Sequence, residues 1–247
     1  MSHERRIFAL TTLEPGSHYV PGESDQRHLS KALRLTLGDL VTVVDKTGIE
    51  FLSSVVNASP ITLLLQSVLS SPSSAALSPV QAILVGLPKG PASDAIVEGA
   101  TELGTPRIIF WEADHSVPKL AEGTKRLERW NKIAESAAKQ SAQRAVPRIT
   151  AIASLPAALQ YIDDLNIQAD RLVCTLTGDA RPLQAYTAST SILAFGPEGD
   201  FSSSELEVLR NASFLPTTLG PYRLRSEMAV IAGISGIWAL RLTAPSF

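Results

Sequence analysis

The stretch "SILAFGPEGDFSSSELEVLR", Ser191–Arg210, decides how the rest of the chain is read. It opens on a continuous apolar run, which suits a strand covered on both faces better than one that alternates between core and solvent. It closes on a polar segment in which Ser202 or Ser203, followed by Glu205 or Glu207, carries the capping signature of a helix start. Between them, Gly196, Pro197 and Gly199 surround Glu198. Strand, tight loop and helix form the unit of a doubly wound α/β sheet, in which ligands sit beyond the carboxyl ends of the strands. The glycines let backbone approach a ligand closely, and Pro197 stiffens the loop. From composition alone the loop is either such a ligand contact or a tight turn in which Glu198 caps a helix.

The same grammar extends outward in both directions. "VQAILVGL" (Val80–Leu87), "PRIIFWEA" (Pro106–Ala113) and "DRLVCTL" (Asp170–Leu176) read as buried strands. "SDAIVEGATELG" (Ser93–Gly104) reads as a helix capped by Ser93 or Asp94 and closed by Gly104. "KRLERWNKIAESAAKQSA" (Lys125–Ala142) places Leu127, Trp130, Ile133, Ala134, Ala137 and Ala138 at helical spacing. The last helix, Glu227 to Leu240, is apolar nearly all round, so it is covered on more than one side, by the core or by a second subunit.

Before Ser70 the pattern is different. "RIFAL", "LVTVVD", "IEFLSSVV" and "ITLLLQSVL" read as strands, with "DKTG" (Asp45–Gly48) as a hairpin turn. One short helix, "SDQRHLSKALR", has Ser24 or Asp25 as its cap and Leu29, Ala32 and Leu33 on one face. "SSPSSAALSPV", Ser70–Val80, is rich in Ser and Pro and lacks charge, as a linker does. Two domains are expected, residues 1–72 and 80–247.

Composition bounds the function. A hydrophobic content of 45% excludes a disordered chain, and no apolar run reaches the roughly 18 residues of a membrane helix. "MSHERRIFAL" lacks the apolar core of a signal peptide. A single cysteine, Cys174, excludes an internal disulfide and points to a reducing, cytoplasmic compartment. It lies in an apolar strand, where an inert thiol is expected. His3, His18, His28 and His115 are scattered without ligand spacing, so no metal is expected. The net charge of −2 does not advertise nucleic-acid binding, although a local basic face is compatible with it. Neither phosphate-binding glycine motif is present, and Glu198 would repel phosphate. A ligand with a positive centre or a ribose diol suits the loop better.

Taken in order, "RHLSKALRLTLGD", "VDKTG", "LPKG", "EGATELGTPRIIF", "KRLERWNKIAESAAKQS", "VPRI", "FGPEGDF" and "LGPYRLRSEMA" resemble the motifs of the bacterial 16S ribosomal-RNA uridine N3-methyltransferases. The resemblance runs from about Arg27 to Ile237. It implies an α/β protein of the SPOUT superfamily: an N-terminal PUA-like β-barrel that helps hold RNA, and a C-terminal domain with a parallel sheet and a deep trefoil knot. It implies S-adenosylmethionine as cofactor, a homodimer, and 16S rRNA or the small ribosomal subunit as partner.

By the same analogy the cofactor contacts are Thr175, Leu176, Gly196, Pro197, Glu198, Gly199, Leu219, Gly220, Leu224 and Arg225. Arg225, Arg223 and Glu227 are the catalytic candidates, with Glu198 a second carboxylate that could take the proton; Glu227 serves equally as a helix cap. Arg34, Lys89, Gln140 and Arg144 are the candidate RNA contacts, each also readable as an ordinary surface residue. The chain departs from the family pattern at Tyr222, Arg223, Met228, Gly99, His115 and Gln143, losing several cations and a hydroxyl. A SPOUT enzyme with another target nucleotide, and a ribosome-binding module without methyl transfer, remain open readings of the residues.

Overall fold

The computed structural model describes residues 5–70, 78–118, 120, 123–186 and 190–241. Most of the Ser/Pro-rich segment, 71–77, lies outside the described residues. The chain folds as two compact units, Met1–Leu77 with Ala138–Val146, and Ser78–Ala137 with Pro147–Phe247.

In the first unit, β1 (Arg6–Phe8), β2 (His18–Tyr19), β3 (Leu40–Val44), β4 (Glu50–Ala58) and β5 (Ile61–Ser70) form one mixed sheet in the order β1-β3-β4-β5-β2. Irregularities in the β4–β5 register bend this sheet around Ile7, Leu29, Val43, Phe51, Leu63 and Leu65. The Asp45–Gly48 turn joins β3 to β4 as expected. Its buried Asp45 carboxylate accepts the N–H groups of Thr47 and Ile49, at 2.8 and 3.1 Å. The short helix differs from expectation. α1 (Glu23–Arg27) starts after Gly22 with no side-chain cap, so neither Ser24 nor Asp25 caps it, and it runs into a π-helical turn, His28–Ala32. Asp25 is buried and receives Lys139 Nζ at 2.9 Å.

That bond explains why residues 138–146 belong to this unit, although the sequence reading places them in the second domain. Arg6 bonds both Glu50 Oε1 (2.8 Å) and the Gln143 carbonyl (3.1 Å), and Arg144 Nε lies 3.7 Å from Glu50. The partners are 114 and 137 residues apart in sequence, so no local pattern announces them.

The second unit contains β6 (Val80–Gly86), α2 (Ala92–Glu102), β7 (Arg107–Trp111), α3 (Gly123–Gln140), whose last residues are counted with the first unit, and β8 (Arg148–Ile152). Then follow α4 (Leu155–Asp164), β9 (Asp170–Cys174), β10 (Arg181–Pro182), β11 (Ser191–Phe195), α5 (Ser203–Asn211), β12 (Leu215–Thr218) and α6 (Ser226–Arg241). The seven strands form one sheet, β10-β12-β9-β11-β6-β7-β8, parallel at every pairing. The expected α/β architecture is therefore observed, a mixed strand-rich sheet followed by a parallel one.

β6 and β11 carry the buried centre of that sheet, with Ile83, Leu84, Leu193 and Ala194 fully covered. α3 buries Trp130 against Phe110, with ring centroids 4.3 Å apart. α6 packs on α2, where Trp238 Nε1 donates to the Leu103 carbonyl at 2.9 Å, while Met228 and Leu240 face outward. α2 begins one residue before Ser93 with Pro91 at its cap position, so the expected caps Ser93 and Asp94 lie inside the helix. Gly104 closes it at φ +73° as expected. Among the described residues no helix is long and apolar enough to cross a membrane.

Candidate active site

The loop after β11 is braced on every side. Pro197 is buried against Gly86 at the end of β6, where a Cβ would stand 2.6 Å from Pro197 Cδ, so only glycine allows the approach. The Pro197 carbonyl accepts the Asp200 N–H at 2.9 Å, closing a turn that leaves Asp200 at φ +63°. Asp200 Oδ1 accepts the Phe201 N–H, and the Phe201 ring packs on Trp111. Ser202 and Glu205 form the capping box of α5, so Glu198 is not the cap of that helix. Buried Glu205 also accepts Trp111 Nε1 and the Asp114 N–H, each at 3.2 Å. His115 Nδ1 lies 3.0 Å from the Asp200 carbonyl, and its Cβ would collide with any side chain at Gly199.

Glu198 has a different task. Its Oε1 accepts the Lys89 N–H at 2.8 Å, tying the loop after β6 to the loop after β11. Beyond β9, Thr175 donates its N–H to the Thr217 carbonyl of β12 at 2.9 Å. Beyond β12, Thr218 Oγ1 bonds Gly220, whose φ of +139° is a glycine conformation. The chain then presents Pro221 to Arg225 to solvent and enters α6 at buried Ser226. Glu227 sits in the first turn of α6, where a carboxylate favours the helix dipole.

These segments enclose a cavity of about 680 Å³ at the carboxyl ends of β12, β9, β11 and β6, four neighbouring strands. Thr175, Leu176, Gly196, Pro197, Glu198, Leu219, Gly220, Arg223, Leu224, Arg225 and Glu227 all line it, as does Lys89. Gly199 does not; it serves the packing against His115. Arg34, Gln140 and Arg144 belong to the first unit and do not line the cavity. Arg34 is exposed at φ +50°, and Gln140 is exposed at the end of α3.

The sequence reading missed Tyr222, Ser226, Asp200 and the first turn of α2, which also line the cavity. The α2 residues were open to discovery: "LPKGPA" follows β6 at the same sheet edge as the segments that carry the expected cofactor contacts. Ser226 had no sequence signal. Its Oγ is buried without a hydrogen-bond partner among the described residues, an orphaned donor and acceptor at the cavity wall.

Cys174 also lines the cavity, at the end of β9 rather than inside it, and is only partly covered. Burial of the sulfur pushes its pKa well above the usual thiol range, so it remains a protonated, inert thiol. Among the described residues no group of three or more His, Cys, Asp or Glu is arranged to hold a metal ion.

A parallel α/β domain with a hollow beyond adjacent carboxyl strand ends, walled by glycine-bearing turns, is a small-molecule-binding domain of the doubly wound class. The comparisons with known proteins make the class specific. The family of the RNA methyltransferase domain matches residues 77–238, and the chain belongs to it. Ribosomal RNA small subunit methyltransferase E of Bacillus subtilis (strain 168) is 34% identical over 167 residues, 63% of this chain and 64% of that protein. The chain thus spans a little under two thirds of the length of the first curated relatives it matches. The Buchnera aphidicola protein of the same name is 23% identical across 94% of this chain and 92% of its own. The crystal structure of ribosomal RNA small subunit methyltransferase E from Neisseria gonorrhoeae bound to S-adenosyl methionine superposes with a TM-score of 0.82. That structure is 23% identical and covers 96% of this chain and 97% of its own. The family resemblance drawn from the motifs is borne out.

Proposed function

We propose that the protein is an S-adenosylmethionine-dependent methyltransferase acting on N3 of a uridine in 16S ribosomal RNA. The observation that carries this reading is the convergence of four separate loops on one cavity within a chain of the RNA methyltransferase family.

The lining fits the cofactor. The hollow has the size of a small-ligand site. The orphaned Ser226 hydroxyl and the turns at Gly196 and Gly220 offer uncharged polar contacts. When bound, S-adenosylmethionine supplies an electrophilic methyl group on a sulfonium sulfur. The protein's part is to orient the uracil, exclude water and manage one proton. Uracil N3 must lose its proton as it gains the methyl group. Arg225 would hold the negative charge that develops on the uracil oxygens. Glu227 is the better carboxylate for the proton, because Glu198 Oε1 is engaged by Lys89.

The remaining assignments follow the same reading. The strand-rich domain, residues 1–72 together with the 138–146 segment that folds with it, holds RNA through Arg34, Gln140 and Arg144, and Lys89 adds a contact at the cavity. Arg144 divides its charge with Glu50. The second domain, residues 80–247 without the 138–146 segment, carries the trefoil knot and the chemistry. The outward face of α6, with Met228 and Leu240, meets a second copy in a homodimer. The enzyme works in the cytoplasm.

Mapping modified nucleotides on small-subunit RNA from cells with and without the gene tests the activity. Loss of a single 3-methyluridine, restored by the purified protein and S-adenosylmethionine, is the expected result. An unchanged modification map, with cofactor bound in calorimetry, would overturn it.

A further inference from the structure

The segment between β12 and α6 puts an unusual set of side chains at the mouth of the cavity. Tyr222 is 80% exposed, Leu176 46% and Leu224 39%, and all three line the hollow. Arg223 and Arg225 alternate with Tyr222 and Leu224 along the chain, and Lys89 lines the same cavity. The carboxylates of the lining are Glu198, Asp200 and Glu227, of which Glu198 and Asp200 each accept a backbone N–H. Among the described residues the Tyr222 side chain makes no hydrogen bond, ion pair or ring contact.

A single exposed ring is ordinary, but Tyr222 beside exposed Leu176 and Leu224 at the rim of a cavity forms the kind of apolar patch that marks a binding site. The segment is nevertheless fixed at both ends, by Thr218 with Gly220 and by the Ala229 N–H donating to the Arg225 carbonyl. The ring is thus presented rather than loosely tethered. An exposed aromatic face interleaved with guanidinium groups is the chemistry that takes an unpaired nucleotide, the ring for the base and the cation for the phosphate.

We propose that Tyr222 is the stacking platform for the unpaired nucleobase that enters this cavity from RNA, with Arg223 receiving that nucleotide's phosphate. The inference rests on the methyltransferase reading above. A base must leave its helical stack to reach a cavity of this kind, and the Tyr222 face replaces part of the stacking it gives up. Stacking does not read hydrogen-bond edges, so Tyr222 governs how well an RNA binds more than which base is accepted.

The test uses the full chain and small ribosomal subunits from cells lacking the gene, assayed for methyl transfer. Tyr222→Ala is expected to raise KM for the subunits by about 5- to 150-fold, the loss of one stacked base. Its affinity for S-adenosylmethionine in calorimetry and the salt dependence of KM should stay as in the unaltered protein. Tyr222→Leu, which keeps apolar bulk without a π-face, should behave as the alanine variant, and Tyr222→Phe should rescue KM. Arg223→Ala should instead reduce the slope of log KM against log salt by about one phosphate contact. If the alanine variant does not fold, the leucine and phenylalanine pair carries the comparison.

An unaltered KM in Tyr222→Ala or Tyr222→Leu, or a defect that Tyr222→Phe does not rescue, would overturn the stacking assignment alone. So would a change of sedimentation from dimer to monomer, since the ring would then be a subunit contact. An unaltered protein that binds cofactor yet transfers no methyl group to the subunits would remove the underlying functional reading and this inference with it.

Discussion

The two walls of the cavity are built on opposite plans. The wall after β11, Gly196 to Ser202, is locked by a buried proline, a capping box, a buried carboxylate and a histidine against its carbonyl. The wall after β12, Pro221 to Arg225, stands in solvent and, among the described residues, is held at its ends. A cofactor that must be held in one conformation rewards a wall that does not move, because pre-organisation lowers the cost of binding. A substrate that arrives as a large folded RNA needs accessible side chains. The same cavity thus has a rigid side and an open side, and substitutions in the two should fail in different ways.

The largest effect is expected on the rigid side. Glu205→Ala would strand Trp111 Nε1 and the N–H groups of Asp114 and Ser202. The cost should be about 3–5 kcal/mol, seen as a fall in thermal midpoint of roughly 6–20 °C by circular dichroism. A midpoint within about 2 °C of the parent would show that this wall is not braced through Glu205. On the open side, Arg225→Ala should lower kcat about 10²- to 10³-fold while leaving the thermal midpoint close to the parent's. Loss of folding in that variant would erase the contrast between the walls. Gly86→Ala should come next. Its new methyl would meet Pro197 Cδ at 2.6 Å, displace the braced loop and weaken S-adenosylmethionine roughly tenfold in calorimetry.

The smallest effect lies in the other unit and should leave both walls untouched. Burial raises the Glu50 pKa, but Ser70, Arg6 and Arg144 outweigh it and hold the carboxylate below its ordinary value of 4.5. A carboxylate depressed on folding adds stability above its unfolded pKa and loses it as pH falls through the folded one. The first unit should therefore weaken in urea as pH drops below about 4.5, and Glu50→Gln should flatten that dependence. An equal acid sensitivity in the variant would assign it to other groups, Asp45 first.

The α/β character was open in the sequence because buried parallel strands leave continuous apolar runs, as in β6 and β11. Several elements escape that reading, β12 and α4 among them. β12 is four residues long and contains Pro216, a residue that argues against a strand. α4 carries a serine cap and an early proline, Ser154 and Pro156, but its ten residues are too few for the apolar spacing to stand out. The π-helical turn at His28–Ala32 has the same apolar spacing as an ordinary helix, so spacing could not reveal it.

By itself the sequence determined the loops with special backbone, the capped start of α5 and the family motifs in their order. Each depends on residues within a few positions of one another, and short-range physics acts at that distance. Tertiary structure alone decided that residues 138–146 join the first unit. It also decided that Glu198 clamps the loop after β6, and that Ser226 and Tyr222 face the cavity. Those outcomes depend on contacts between segments far apart in the chain, more than a hundred residues for Lys139 with Asp25 and for Glu198 with Lys89, which exist only in the folded protein.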